Sequence, residues 1–350
     1  MINVITEKSQ WTKELELVNQ VDFYHTYDYH YLSKKADESA ILIKYQNKNN
    51  LILLPLLIRG IKGSDYKDAT SVYGYCGVLI NDEIPMHQID EFTEELNTFF
   101  ISNKIISVFS RLHPFIENQA LILGNMGRII NPGKVVYINL NEPIEVQRAK
   151  FSRRLKTYLN KSRKSCDVIL GNIEEHLEVF IDLYNENMDR VEADDSYYFP
   201  SDYYKKLLSS TDFETDMLLC IHNETNAVIG GALFIKKGEI VQYHLSGYNG
   251  DYEDLNPIKL ILDEMRIKAT NEGYKLFNLG GGRGSQEDSL FKFKSTFSKT
   301  FKPFNLWKYI VDESSYKALV EQQGGASSTD DLYDADFFPA YRKKIKMIFK

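Results

Sequence analysis

Two stretches of the 350-residue chain concentrate side chains and backbone suited to chemistry. The first is Asn278-Leu279-Gly280-Gly281-Gly282-Arg283, with Phe293-Lys294 following it. Three successive residues without a Cβ let a ligand chain or another backbone approach closely. The second runs from Arg148 to Lys164 and carries eight Lys or Arg and no acid. Phe151, Leu155, Tyr158 and Leu159 would face inward from a helix there, which leaves a basic outer face. Such a face is ordinarily a solvated surface. In a chain of net charge −7 it is equally suited to phosphate, whether of a nucleotide-sugar diphosphate, a lipid diphosphate or an RNA end.

The elements that must position the glycine run are legible around it. Glu239 to Leu245 is β-branched and aromatic enough for a strand, and Ser246-Gly247-Tyr248-Asn249-Gly250 is expected to break it. Asn256-Pro257 opens a helix, with Asn as N-cap and Pro at the first helical position, and Gly273 closes it. Ile258, Ile261, Leu262, Met265 and Ala269 share one face of that helix. Tyr274 to Leu279 is a second apolar strand. A strand–helix–strand unit with short connections makes its strands parallel neighbours, with both C-terminal ends on one edge. Ligands of open α/β sheets bind at that edge.

The first half repeats this order. Strands at Ile41–Tyr45 and Leu51–Ile58 form a hairpin, Ile89 to Phe100 gives a helix face, and Ile105 to Ser110 is a strand ending in Arg111-Leu112-His113-Pro114. Tyr73-Gly74-Tyr75-Cys76-Gly77 is either a tight bend or a loop lining a cleft. The aromatic cluster Phe23 to Tyr31 reads as core. The expected class is α/β with a mixed sheet, in two similar lobes: residues 1–133, residues 134–312, and a linker and docking tail at 313–350. The stretch Gln322 to Asp331 has linker composition. The terminal KKIKMIFK is expected to snorkel onto the core, with at most peripheral contact to an anionic membrane.

Composition narrows the classes. The acidic net charge argues against a DNA-binding protein. Three scattered cysteines (Cys76, Cys166, Cys220) indicate a reducing compartment and no metal framework. A polar start without an apolar segment, and a longest apolar run of Leu51 to Ile58, give a cytoplasmic expectation.

Much of the chain resembles the GNAT acyltransferase superfamily, in the branch shared with the Fem family of cell-wall aminoacyl transferases. The residues that carry this are the helix from Phe151-Ser152-Arg153-Arg154 to Lys164, Pro200-x-x-Tyr203-Tyr204, Gly230-Gly231-Ala232-Leu233-Phe234, Tyr243 to Tyr248, Phe277-Asn278-Leu279-Gly280-Gly281 and Phe293-Lys294-x-x-Phe297. Tyr73-Gly74-Tyr75 and Arg111-Leu112-His113-Pro114 are similar to a Fem N-terminal lobe, and Phe337 to Arg342 resembles relatives encoded with surface-polysaccharide enzymes. The resemblance implies direct attack of an amine on an activated acyl carbon, in a gap where two parallel strands splay and backbone N–H groups polarise the carbonyl. It implies catalytic roles for His244, Lys294, Tyr248 and His113, with Asp254 and Glu287 as further candidates for the base. It implies donor contacts from Tyr243, Ser246, Asn256, Gly280, Gly281 and Phe293, and acceptor contacts from Tyr73, Tyr75, Arg111, Arg153, Arg154, Arg283 and Glu287.

Two departures bear on substrate. GNAT domains that use acetyl-CoA place a glycine-containing turn before the central helix to cradle the diphosphate. Here that position reads Asp251-Tyr252-Glu253-Asp254-Leu255-Asn256-Pro257, which is acidic. His113-Pro114 stands where Fem proteins read Asp-Pro. The leading expectation is an N-acyltransferase using an acyl-CoA, acetyl-CoA above all, and acting on a nucleotide- or lipid-linked amino sugar. The alternatives are an aminoacyl-tRNA-dependent transferase acting on a muropeptide, and a non-catalytic binding module. None of these readings calls for a metal.

Overall fold

A computed structural model describes residues 1–322, 332–333 and 337–343. The chain opens with β1 (Ile2–Ile5), α1 (Lys8–Leu15), α2 (Tyr27–Ser33), β2 (Glu38–Asn47), β3 (Asn50–Gly60), β4 (Lys67–Thr70), β5 (Leu79–Ile80), α3 (Met86–Ser102), β6 (Ile105–Arg111) and α4 (Gln119–Leu123). Then come β7 (Arg128–Asn139), α5 (Ile144–Ala149), α6 (Arg153–Ser162), β8 (Cys166–Leu170), α7 (Ile173–Arg190), α8 (Ser201–Leu208), β9 (Glu214–His222), β10 (Val228–Lys237) and β11 (Ile240–Tyr248). It closes with α9 (Pro257–Asn271), β12 (Leu276–Gly280), α10 (Ser289–Lys294), β13 (Thr300–Ile310) and α11 (Glu313–Gln322).

Two compact units result: residues 1–132 with 304–350, and residues 133–303. In the first, the strand order is β1-β2-β3-β4-β6-β13, with β5 beside β3; in the second it is β8-β9-β10-β11-β12-β7. Each holds one parallel pair, β4–β6 or β11–β12, among antiparallel neighbours. A helix, α3 or α9, makes the crossover that a parallel pair requires. The tandem mixed-sheet architecture read from the sequence is therefore present.

The chain partition is less simple than a cut near residue 133. The strand after β6 in sequence, β7, pairs with β12, and the strand after β12, β13, pairs with β6. Residues 304–312, expected in the second lobe, thus pack with the first unit. Asp68 on β4 fixes Tyr341 and Arg342 there: it is fully buried and accepts from Arg59 Nε (2.7 Å), Tyr341 Oη (3.0 Å) and the Arg342 guanidinium. Phe338 and Tyr341 join a core patch with Ile61, Ile106, Ile310, Tyr316 and Leu319. Residues 323–331 and 344–350, which hold most of the anticipated linker and basic tail, lie outside the described residues.

The second unit's core explains its helices. Phe151, Leu155 and Leu159 of the basic stretch point inward with Ile258, Ile261, Leu262, Met265 and Ala269 of α9, against Phe234, Val241, Phe277 and Leu279 of the sheet. The basic stretch is two helices, not one: Ser152 interrupts it and caps α6, its side chain accepting from Leu155 N–H.

Candidate functional site

The two parallel strands of the second unit pair at only three positions, Ile240–Leu276, Val241–Phe277 and Gln242–Asn278. Past that point β11 continues along β10 to Tyr248, whereas β12 runs on to Gly280 beside β7. Both strands are bulged where they part. Leu233 faces Leu245 while Phe234 faces Tyr243, which makes His244 the inserted residue on β11. Asn278 faces Tyr137 while Gly280 faces Val136, which inserts Leu279 on β12. The last pair is locked through side chains, Asn278 Nδ2 donating to Gln242 Oε1 (2.8 Å), both buried. Asn278 Oδ1 also accepts from Gly280 N–H at 3.0 Å, which turns the strand out into the glycines. Sequence reasoning placed Asn278 in the run and missed Gln242. Their signal is two amides at the same depth in otherwise apolar strands.

Lys294 stands at this opening. Asp288 caps α10 by accepting from Phe291 N–H (3.0 Å), and one turn later the Lys294 ammonium donates to Gly281 O (2.7 Å). It lies 5.9 Å from the Tyr243 ring, and a Cβ on Gly280, whose φ is +78°, would come within 3.2 Å of it. Burial pulls its pKa down to about 8, with Asp288 opposing the shift. On β11 the Tyr243 hydroxyl bonds Ser246 Oγ, and burial pushes the phenol up to about 12. His244 Nε2 lies 3.1 Å from Tyr203 Oη, and burial lowers the imidazole to about 4, so it is neutral at neutral pH. Tyr203, on α8, stacks on Phe199 with centroids 4.2 Å apart. Lys294, Gly280, Gly281, Tyr243, Ser246 and His244 therefore surround the point where the strands separate.

Other expected residues stand elsewhere. Ser246 to Tyr248 do not break the strand; β11 includes them. The Tyr248 ring is covered by the Arg190 guanidinium (4.3 Å), whose Nη2 donates to Tyr248 O (2.8 Å). Asn256 adopts a left-handed conformation and caps nothing with its side chain, which donates to Asp254 O (3.0 Å) and accepts from Lys259. Phe293 packs edge-on against Phe297. Arg283 pairs with Asp288 (3.2 Å) and Glu287 with Lys134 (2.8 Å), so each closes an ion pair within its own unit. Asp254 is exposed on the turn before α9.

Among the described residues the first unit shows no equivalent opening. Its parallel pair continues beyond β4 as Ser71 N–H donates to Phe109 O (2.9 Å) and Cys76 N–H to Arg111 O (2.7 Å). His113 does not serve as an exposed base there. It is buried, its Nε2 is 2.9 Å from Asp22 Oδ2, and its Nδ1 accepts from Phe115 N–H at 3.2 Å. Both ring nitrogens hold the core together, which leaves neither for a substrate proton. Arg111 lies over the rings of Tyr73 (5.5 Å) and Phe109 (5.8 Å), and Tyr75 packs edge-on against Phe304 and Tyr24.

The basic stretch is partly neutralised by carboxylates distant in sequence. Buried Asp263 on α9 accepts from Arg148 (3.2 Å), Arg163 (2.8 Å) and Arg266 (2.7 Å), and Glu142 pairs with Lys150 (2.5 Å). Arg153, Arg154, Lys156, Lys161 and Lys164 form no ion pair among the described residues. Among those residues no group of three or more His, Cys, Asp or Glu is placed to hold a metal, and no helix is long and apolar enough to cross a membrane.

Comparison with known proteins agrees with this fold. Residues 221–305, which contain Gln242, His244, Gly280 and Lys294, match the FemAB family model. The matched segment is Fem-like. The crystal structure of FemX superposes with a TM-score of 0.71 at 12% identity, covering 90% of this chain and 99% of that one. A tandem GNAT protein from the clavulanic acid biosynthesis pathway gives 0.53 at 8% identity, covering 89% and 99%. A conserved protein of unknown function from Bacteroides thetaiotaomicron gives 0.58 at 10% identity, covering 89% and 100%. No curated protein matches the chain. The Fem-like match and the shared fold support a transferase.

Proposed function

We propose that this chain transfers an acyl or aminoacyl group from an activated carrier to the amine of a cell-envelope precursor. The observation that carries the reading is the parting of β11 and β12 after Gln242–Asn278, with Lys294 at the rim. The donor carbonyl enters between the strands. The amine nitrogen attacks its carbon directly, the new N–C bond forms, and the bond from that carbon to the carrier's sulfur or oxygen breaks. Lys294, as ammonium, faces the charge that develops on the carbonyl oxygen, in a buried setting where such an interaction is strong. The His244–Tyr203 pair lies beside the opening and passes the proton released from nitrogen.

The carrier is the finer question. The turn before α9 carries exposed Asp251, Glu253 and Asp254, which does not fit a diphosphate cradled by backbone N–H groups. The unpaired cations of α6 supply positive charge instead, and several in a row suit a phosphodiester chain better than one diphosphate. That favours aminoacyl-tRNA over acyl-CoA, with an amino sugar or a muropeptide as acceptor. The test offers acetyl-CoA and charged tRNA separately to the purified protein with amino-sugar and muropeptide acceptors, and reads new amide by mass spectrometry. Amide formation that Lys294→Met abolishes, with the fold intact, supports the reading. Its absence with every donor overturns it.

A further inference from the structure

Between α6 and α9, which pack together in the second unit, the structure gathers positive charge around one aromatic ring. The Arg154 guanidinium on α6 lies 5.2 Å from the Tyr158 ring centroid and donates to its hydroxyl. The Lys259 ammonium, from the first turn of α9, lies 4.5 Å from the same centroid. Neither forms an ion pair among the described residues, whereas Arg163 one turn along pairs with both Asp263 and Glu264. Helix α6 links this spot to the reacting centre. Ser152 N–H, at its start, donates to Thr296 O, two residues past Lys294, and Ser162 Oγ, at its end, donates to Leu255 O ahead of α9 (3.0 and 2.6 Å).

We propose that Arg154 and Lys259, assembled on Tyr158, form a phosphate-binding site that holds the leaving-group side of the donor by side chains. The site rests on the transferase reading for its place in the reaction, but its ligand chemistry is its own: a phosphate monoester, diester or diphosphate. Two cations brought together without an ion-paired carboxylate are an unfavourable arrangement in the free protein. Burial and the Arg154 charge both lower the Lys259 pKa, with Glu253 alone acting the other way. A bound phosphate reverses that balance, because it contributes the missing negative charge and accepts from both donors. Tyr158 holds the geometry, since an aromatic face attracts a cation and keeps it from its solvated rotamers. Arg presents a planar fork to phosphate oxygens and Lys a point charge, so the pair suits an oxygen triangle better than a flat carboxylate.

The experiment measures equilibrium binding to the full-length protein by calorimetry. The probes are coenzyme A and a short RNA hairpin with a single-stranded CCA 3′ end. Wild type is compared with Arg154→Gln/Lys259→Gln, and with Lys13→Gln, an exposed lysine on α1 of the first unit, as a control. At least one probe binds wild type, and the double variant weakens it about tenfold or more while the control stays within twofold. If that probe is the RNA, the salt dependence also becomes shallower by between one and two units of log K against log salt, at about 0.7–0.9 per phosphate contact. Coenzyme A as the affected probe identifies a diphosphate source, and the RNA a phosphodiester one. Equal binding by wild type and the double variant, or no binding of either probe to wild type, overturns the site. Failure of the transferase reading shows separately. Loss of probe binding in the double variant without turnover of any donor leaves the phosphate site standing. Turnover that survives with unchanged probe binding removes the site alone.

Discussion

Lys294 gives the sharpest test, because the chemistry asked of it and its effect on stability have opposite signs. Its pKa of about 8 leaves it roughly nine-tenths protonated at pH 7 and one-tenth at pH 9. If the ammonium faces the developing oxyanion, kcat in saturating acceptor falls about tenfold per pH unit once the pH is well above 8. Lys294→Arg, whose guanidinium keeps its proton, loses that alkaline limb even if its overall rate is lower. A rate that instead climbs through pH 8 makes the neutral amine the active form and removes the electrophilic role. Stability gives the second reading. Unfolded, the side chain keeps its proton up to about pH 10.4, while folded it releases it near 8. Between those values the unfolded chain binds more protons, so stability rises with pH there, and below pH 8 the whole penalty is present. At about 1.4 kcal/mol per unit this penalty is on the order of 3 kcal/mol. Lys294→Met removes it and strips Gly281 O of a donor worth about 1 kcal/mol. Urea unfolding at pH 7 should therefore show the inactive variant more stable by roughly 1–2 kcal/mol. A variant that is less stable at pH 7, and no different from wild type at pH 10.5, would show that Lys294 is structural and refute the reasoning.

Three further outcomes follow from buried polar contacts. Gln242→Leu or Asn278→Leu leaves one buried amide without its partner and should cost about 1–3 kcal/mol, while the double replacement costs less than the two added together; denaturant unfolding of the cycle reads this. His113→Gln should lower the melting temperature but leave kcat/KM per folded molecule within twofold, and a loss of kcat at unchanged stability would return His113 to the chemistry. Asp68→Asn breaks a buried charge contact shared by Arg59, Tyr341 and Arg342 and should cost about 3–5 kcal/mol. Limited proteolysis should then cut first near residues 337–343, and an unchanged digestion pattern would show that Asp68 does not anchor that segment.

Local signals gave the parts of the fold whose causes are local. Pro257 at the first helical position, Gly273 at φ +85° and the apolar face of α9 all mark that helix within its own residues. The Ser246-Gly247 break was misread for a reason the structure supplies. Gly247 faces Gly231 across the ladder, and a Cβ on it would strike Leu183 O of α7, so the glycine serves helix–strand contact within a continuing strand. The return of β13 to pair with β6 left no trace, because pairing partners far apart in sequence impose only an apolar strand on either one. Asp263 was equally invisible as the counter-charge of Arg148 and Arg163, lying about a hundred residues from both.

The same distinction between local and non-local causes separates the two parallel pairs, and through them the site. Each half advertised strand, helix and strand, and nothing in either pattern says whether the strands stay together at their ends. In the first unit the chain after β4 runs on alongside β6, and Ser71 and Cys76 supply the next N–H groups to Phe109 and Arg111. In the second unit β12 ends at Gly280 and runs into Gly281 and Gly282, Asn278 folds its side chain back onto Gly280, and β11 is bulged at His244. A gap at that edge exposes polar backbone, which is costly unless something hydrogen-bonds to it. Lys294 meets part of that cost by donating to Gly281 O; on the proposed reading, a donor carbonyl meets the rest. The unit with the glycine run is thus the one whose geometry asks for a ligand, and His113, at the end of the closed pair, is free to serve the core.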